Sequence, residues 1–124
     1  RVNNGLRLEG LARDAQVVRD YKQDRLVHPM IATSLAAWIV QEGIQAVQHA
    51  EAWRVPSLLL YAGQDKLVNP QGSAEFAKRA PADMLQAHCF NVMYHEIFND
   101  PEKQVVLQKL IAWLDNRYVG VQSH

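Results

Sequence analysis

Four apolar residues in a row, Leu58-Leu59-Leu60-Tyr61, run into Gly63 and are followed by Asp65. No other stretch limits the fold as much. A short run that is apolar on both sides marks a strand inside a parallel sheet, where helices cover both faces. Asp65 then leaves from the carboxyl end of that strand, which is where open α/β sheets collect their ligands and chemistry. Thirty positions downstream, the segment Met93-Tyr94-His95-Glu96 follows a second strand-like run and is expected to deliver His95 to the same rim.

The rest of the chain supports an α/β reading. Residues 1–10 are polar, with Asn3-Asn4-Gly5 as a turn signal. Residues 11–21 read as a short helix or a pair of turns, and residues 24–28 as a loop stopped by Pro29. Residues 30–51 carry a helical pattern in which Ile31, Leu35, Trp38, Ile39 and Val47 recur on one side. Gly43 weakens that helix by about 1 kcal/mol relative to alanine. Val40 and Ile44 widen its apolar stripe, as in a helix that touches two neighbours or one that lines a greasy cavity or lipid surface. Asn69-Pro70 predicts a helix start, with asparagine as cap and proline in the first turn, and Pro81 ends that helix. Residues 83–92 form the next expected strand, with Leu85, Ala87 and Cys89 alternating against Gln86 and His88. Asp100-Pro101 opens a last helix with Val105, Val106, Leu107, Leu110, Ile111, Trp113 and Leu114 on its apolar face, and residues 117–124 are expected to fray. Two strands joined through a helix are parallel with a right-handed crossover. Two strands are too few for a stable sheet, so the sequence looks like the final third of a larger α/β domain.

Composition narrows the function. The 124 residues carry 13 basic and 13 acidic side chains. The basic ones are scattered without aromatic interleaving, so no nucleic-acid partner is implied. The single cysteine, Cys89, excludes an internal disulfide and fits a reducing, cytoplasmic setting as a small buried hydrophobe. No segment is long enough to span a membrane. The first residue is Arg1, which is neither an initiator methionine nor the start of a signal sequence, so the chain is expected to begin inside a longer one. A metal site is not expected. His95-Glu96 begins like a zincin motif, but Asn99 stands where the second histidine belongs, and His28, His49, His88 and His124 have no ligand spacing. His88 is expected to be a satisfied structural histidine. Trp38, Trp53 and Trp113 are most simply core or helix-packing residues.

The pair that could do chemistry is Asp65 with His95. An imidazole titrating near neutrality can take and return a proton, provided a carboxylate holds its other nitrogen. The bland alternative is an aspartate that caps a turn beside an exposed loop histidine. The pair lacks a nucleophile. Ser34, Ser57, Ser73 and Ser123 are present, but none lies in a Gly-x-Ser-x-Gly elbow. Ser57 falls inside a strand and Ser73 inside a helix, positions not expected to expose a hydroxyl at the rim.

These residues resemble the α/β-hydrolase superfamily, and within it the monoacylglycerol lipase and lysophospholipase-like serine hydrolases. The resemblance rests on V-P-S-L-L-L-Y-A-G-Q-D-K-L-V at 55–68 and Y-H-E-I-F-N-D-P-E at 94–102. A weaker part is D-R-L-V-H at 24–28, where Arg25 replaces the proline of the family's cap signature. It implies a fold class of α/β: a C-terminal fragment of an α/β-hydrolase, comprising the last two parallel strands and flanking helices, preceded by a helical cap. The division is residues 1–52 as cap and residues 53–124 as core. It implies that Asp65 is the triad acid, that His95 is the triad base, and that Leu67 lines the substrate pocket. Glu96 and Asn99 also match motif positions. The serine, which precedes both in the family's order, falls before Arg1.

The implied activity is hydrolysis of lipid esters of the monoacylglycerol or lysophospholipid type, with no cofactor and with this chain alone inactive. A cap contact with the membrane surface and a cytoplasmic, peripheral location go with it. Self-association, or association with the missing N-terminal part, is expected from the bare edge of the first strand. Two alternatives stay open on these residues: a non-catalytic binding module on the same scaffold, and an aspartate-nucleophile hydrolase of the epoxide hydrolase or dehalogenase type.

Overall fold

The computed structural model describes residues 1–118. Its central unit is a parallel pair of strands, β3 (Ser57–Ala62) and β4 (Leu85–Phe90), in the register Ser57↔Leu85 through Ala62↔Phe90. A second, smaller pair is antiparallel: β1 (Val2–Asn3) meets β2 (Met30–Ile31). Four α-helices, α1 (Ala15–Gln23), α2 (Thr33–Gln48), α3 (Pro70–Arg79) and α4 (Lys103–Tyr118), and three single 3₁₀ turns complete the described residues.

Local chemistry explains where the central elements begin and end. The Asn69 side chain accepts a hydrogen bond from the Gln71 amide at 3.0 Å, and Pro70 fills the first helical position, whose missing N–H costs nothing there. Helix α3 stops two residues before Pro81. Helix α1 is capped in the same way by Asp14, which accepts from the Gln16 amide at 2.8 Å. Helix α3 connects β3 to β4 and packs on both, α4 packs on β3, and α2 lies against α3.

The core sits under the carboxyl ends of the strands. Ala62, Phe90, Met93, Ile97 and Val106 form one buried cluster, with Leu60 packed against it. Backbone pairing continues past the strands into the loops: the Gly63 amide donates to Phe90 O at 2.9 Å, and the Gln64 amide donates to Met93 O at 3.1 Å. Gly63 is required for this closeness, because a Cβ there would lie 2.7 Å from the Asn91 Cα. The loops after β3 and β4 are thereby held side by side.

The structure differs from the expectations in several places. Residues 30 and 31 pair with β1 instead of starting the long helix, and the Asn4 amide donates to Pro29 O at 2.7 Å beside them. Helix α2 therefore begins only at Thr33. The strict alternation expected in β4 fails: Ala87 is exposed, whereas His88 is half-buried and stands edge-on to Phe90 at 4.6 Å. Gln86 and Ala87 are neighbours on opposite faces of the strand and both are exposed, so neither face is wholly dry and alternation has no single wet face to report. Cys89 is half-buried rather than buried.

Trp38 is not a core residue. It is 58% exposed, together with Leu35, Ile39, Val40 and Ile44 on the same helix. Trp53 does pack, edge-on to Phe76 at 5.4 Å, with its indole N–H donating to Ser57 Oγ at 3.0 Å. On α4 only Val106 is fully buried, while Val105, Ile111 and Leu114 face outward. The first two residues of the expected fraying tail, Arg117 and Tyr118, are helical, and the rest of it lies outside the described residues. No helix among the described residues is long and apolar enough to cross a membrane.

Candidate active site

The loop after β3 folds around Asp65. One carboxylate oxygen, Oδ1, accepts from the amides of Leu67 at 2.8 Å and Val68 at 2.9 Å, which makes Asp65 the nucleus of its own turn. The other, Oδ2, lies 2.8 Å from His95 Nδ1. Burial works against ionisation of this carboxyl, but the Val68 amide, the His95 ring and the Leu67 amide together outweigh it and hold its pKa below the ordinary value. An ionised Asp65 can only accept. His95 Nδ1 therefore carries a proton, and in the neutral ring that leaves the lone pair on Nε2. The acid's side chain is 12% exposed and the imidazole 39%, so the carboxylate is sheltered while the ring stays accessible.

The two loops are joined again beside the pair. Lys66 Nζ donates to the Tyr94 hydroxyl at 2.8 Å and lies 4.0 Å from the ring centroid. Past His95, Asn99 Nδ2 donates to Glu96 Oε2 at 2.8 Å, which closes the short turn Ile97–Asn99.

Asp65 and His95 open onto a cleft of about 490 Å³ whose apolar lining includes Tyr61, Val68, Ile97 and Phe98. Leu67 meets the site through its amide, and the hydrophobic side chain contributed to the cleft by this loop is that of Val68. Ser73, expected to lie away from the rim, also lines the cleft, because α3 starts directly after the acid's loop and turns its first residues toward it. It sits within a helix rather than on a strand-to-helix elbow. Among the described residues, no group of three histidine, cysteine, aspartate or glutamate side chains could hold a metal.

Sequence reasoning passed over Arg13. Its Nε donates to Asp100 Oδ2 at 2.7 Å, a terminal nitrogen donates to Oδ1 at 2.6 Å, and that nitrogen also meets Glu102. Hydrogen bonding to Arg13 holds the pKa of the buried Asp100 below its usual value, against the opposing effect of burial. Asp100 also accepts from the Glu102 amide at 2.9 Å. The Asp-Pro dipeptide signals only the turn before α4, and a partner 87 residues away leaves no local pattern to read.

A parallel pair of strands with flanking helices, carrying an aspartate–histidine pair at the carboxyl ends, defines an α/β-hydrolase type of molecule. A family model described as serine aminopeptidase, S33, matches residues 1–102, and the chain belongs to that family. Among curated relatives, an uncharacterised abhydrolase domain-containing protein of Dictyostelium discoideum is 31% identical over 98% of this chain and 13% of its own length. The monoacylglycerol lipase of Mycolicibacterium smegmatis is 29% identical over 86% of this chain and 38% of its own. The phospholipase YtpA of Bacillus subtilis is 26% identical over 93% and 45%. The crystal structure of Paleococcus ferrophilus monoacylglycerol lipase superposes with a TM-score of 0.85 at 31% identity, covering 91% of this chain and 44% of that one. The chain thus spans less than half the length of each of these relatives.

Proposed function

We propose that this chain supplies the acid and the base of a serine hydrolase that cleaves carboxylic esters of lipids, of the monoacylglycerol or lysophospholipid type. The observation that carries the reading is the 2.8 Å contact between His95 Nδ1 and a sheltered, ionised Asp65, with Nε2 left free at an apolar cleft. His95 Nε2 takes the proton of the serine hydroxyl as it attacks the ester carbonyl. It then returns that proton to the departing alcohol and activates water for deacylation. Asp65 fixes the tautomer and stabilises the imidazolium formed at each step. Leu67 keeps the acid in place through its amide, and the side chain that this loop adds to the acyl pocket is that of Val68. The serine comes from polypeptide outside these residues, since no serine in this sequence lies in a Gly-x-Ser-x-Gly motif.

Residues 1–52 act as the cap over the site, and residues 53–124 belong to the core. The exposed Leu35, Trp38, Ile39, Val40 and Ile44 of α2 then have a use as an acyl tunnel wall or a contact with the surface of a lipid phase, in a cytoplasmic and peripheral enzyme. The family description names a peptidase, and amide cleavage would use the same pair. The apolar cleft, with the lipase and the phospholipase among the relatives, favours esters.

In the full-length protein, His95→Ala and Asp65→Asn should each lower turnover of a monoacylglycerol or a nitrophenyl ester by about 10³- to 10⁴-fold. Near-normal turnover in either variant would remove the assignment. The 124-residue chain by itself should give no turnover above background.

A further inference from the structure

The segment before α1 touches both loops of the acid–base pair. Gly10, Leu11 and Ala12 are buried. Gly10 packs so tightly on the acid's loop that a Cβ there would lie 2.5 Å from Lys66 Cβ. Leu11 O accepts from the Glu96 amide at 2.8 Å, one residue past His95. Arg13 grips both oxygens of Asp100 at the far end of the same loop, and Asp100 O in turn accepts from the Lys103 amide at 3.0 Å, at the start of α4. Residues 10–13 therefore run as a brace under Lys66, next to the acid, on one side and residues 96–100 on the other.

We propose that Arg13 is a positioning residue for the hydrolysis, holding the His95 loop at the distance and angle that the Asp65 contact requires. The proposal rests on the acid–base reading above. A planar guanidinium bonded to both oxygens of one carboxylate fixes direction as well as distance, which a single ammonium donor does not. Asp100 is held from two sides, by the guanidinium and by the Glu102 amide, so it has one position. The His95 side chain is itself partly exposed, so the core does not enclose its ring. Its placement depends on the backbone on either side of it. On the Met93 side that backbone is fixed by β4 and the core, and on the Asp100 side by Ile97 in the same core together with the brace. A misplacement of about an ångström in a reacting group costs about 100-fold in rate.

The test uses the full-length protein with a nitrophenyl ester, Arg13→Gln as the main variant and Arg13→Lys as the conservative one. For Arg13→Gln the expected result is a kcat lower by about 10- to 100-fold with KM changed by less than about twofold. Arg13→Lys should recover part of the loss. The far-downfield proton signal of the His95 Nδ1–H in the nuclear magnetic resonance spectrum should weaken or vanish in Arg13→Gln. In a His95→Ala background the same Arg13 change should leave the residual rate within about twofold, since a group acting through His95 has nothing left to act on. A folding defect would instead scale the rate in both backgrounds alike.

A wild-type kcat in Arg13→Gln, an unchanged His95 proton signal, or equal losses in both backgrounds would overturn the proposal. If His95→Ala proves fully active, the hydrolase reading fails. The His95 signal, which needs no substrate, still decides whether Arg13 positions the ring.

Discussion

At Asp65 one carboxylate serves two structural demands, the turn after β3 through Oδ1 and the imidazole through Oδ2. Asp100 does the same for the start of α4 and for Arg13. Both have pKa values below the ordinary carboxylate value in the folded chain. The sign of the pH effect follows: the folded state binds these protons less readily than the unfolded one. Their stabilisation is complete above the ordinary carboxylate pKa of about 4 and is lost as pH falls through the lower folded values. Asp100→Asn removes one of the two titrations. Thermal melts between about pH 2 and 6 should show a shallower acid limb for that variant than for the wild type, and an identical limb would contradict the linkage. At this scale, the positions of Asp65 and His95 were legible because a strand that ends in Gly-x-Asp states locally where its carboxylate emerges. The Arg13–Asp100 pair was not, because its members share no element and no spacing.

Elements were legible to the extent that their ends carry chemistry. Strand β3 and helix α3 follow from an apolar run, a glycine with no room for a side chain, an asparagine cap and two prolines. The β1–β2 pair has two residues a side and no periodicity, so its existence depends on where the chain folds back rather than on what the residues prefer. Helix α2 shows a different limit. Its period revealed an apolar face, but a period does not say whether anything covers that face, and Trp38 turned out to be exposed. Helix α4 joins element to site through one residue: Val106, fully buried, packs in the cluster with Met93 and Ile97 on either side of His95. Val106→Ala removes two methyl groups from that point. A loss of about 2 kcal/mol is expected in denaturant unfolding of the full-length protein, the scale of other buried aliphatic truncations. A loss under about 0.5 kcal/mol would place the core elsewhere.

For the molecule as a whole, the surface left open argues for further polypeptide. The sheet has two strands, and among the described residues the outer edges of both β3 and β4 are unpaired. A parallel pair of that size is marginal by itself, because its backbone groups and both faces need partners. One such face is visible as a cleft of about 460 Å³ between β3 and α4, lined by Leu58, Leu60, Phe98, Leu110 and Trp113. The bare face of α2 adds to it. Apolar surface of this extent beside open strand edges recruits other chains. The lipase structure that matches at a TM-score of 0.85 contains more than twice as much chain as the part superposed. Residues 1–124 expressed alone should therefore self-associate at micromolar concentration, as read by light scattering. Co-expression with the remaining polypeptide should suppress that association and bring ester turnover with it. A monodisperse monomer with a sharp melting transition would mean that the edge and the clefts are tolerated as they stand, and the inference that this surface is an interior face would fall.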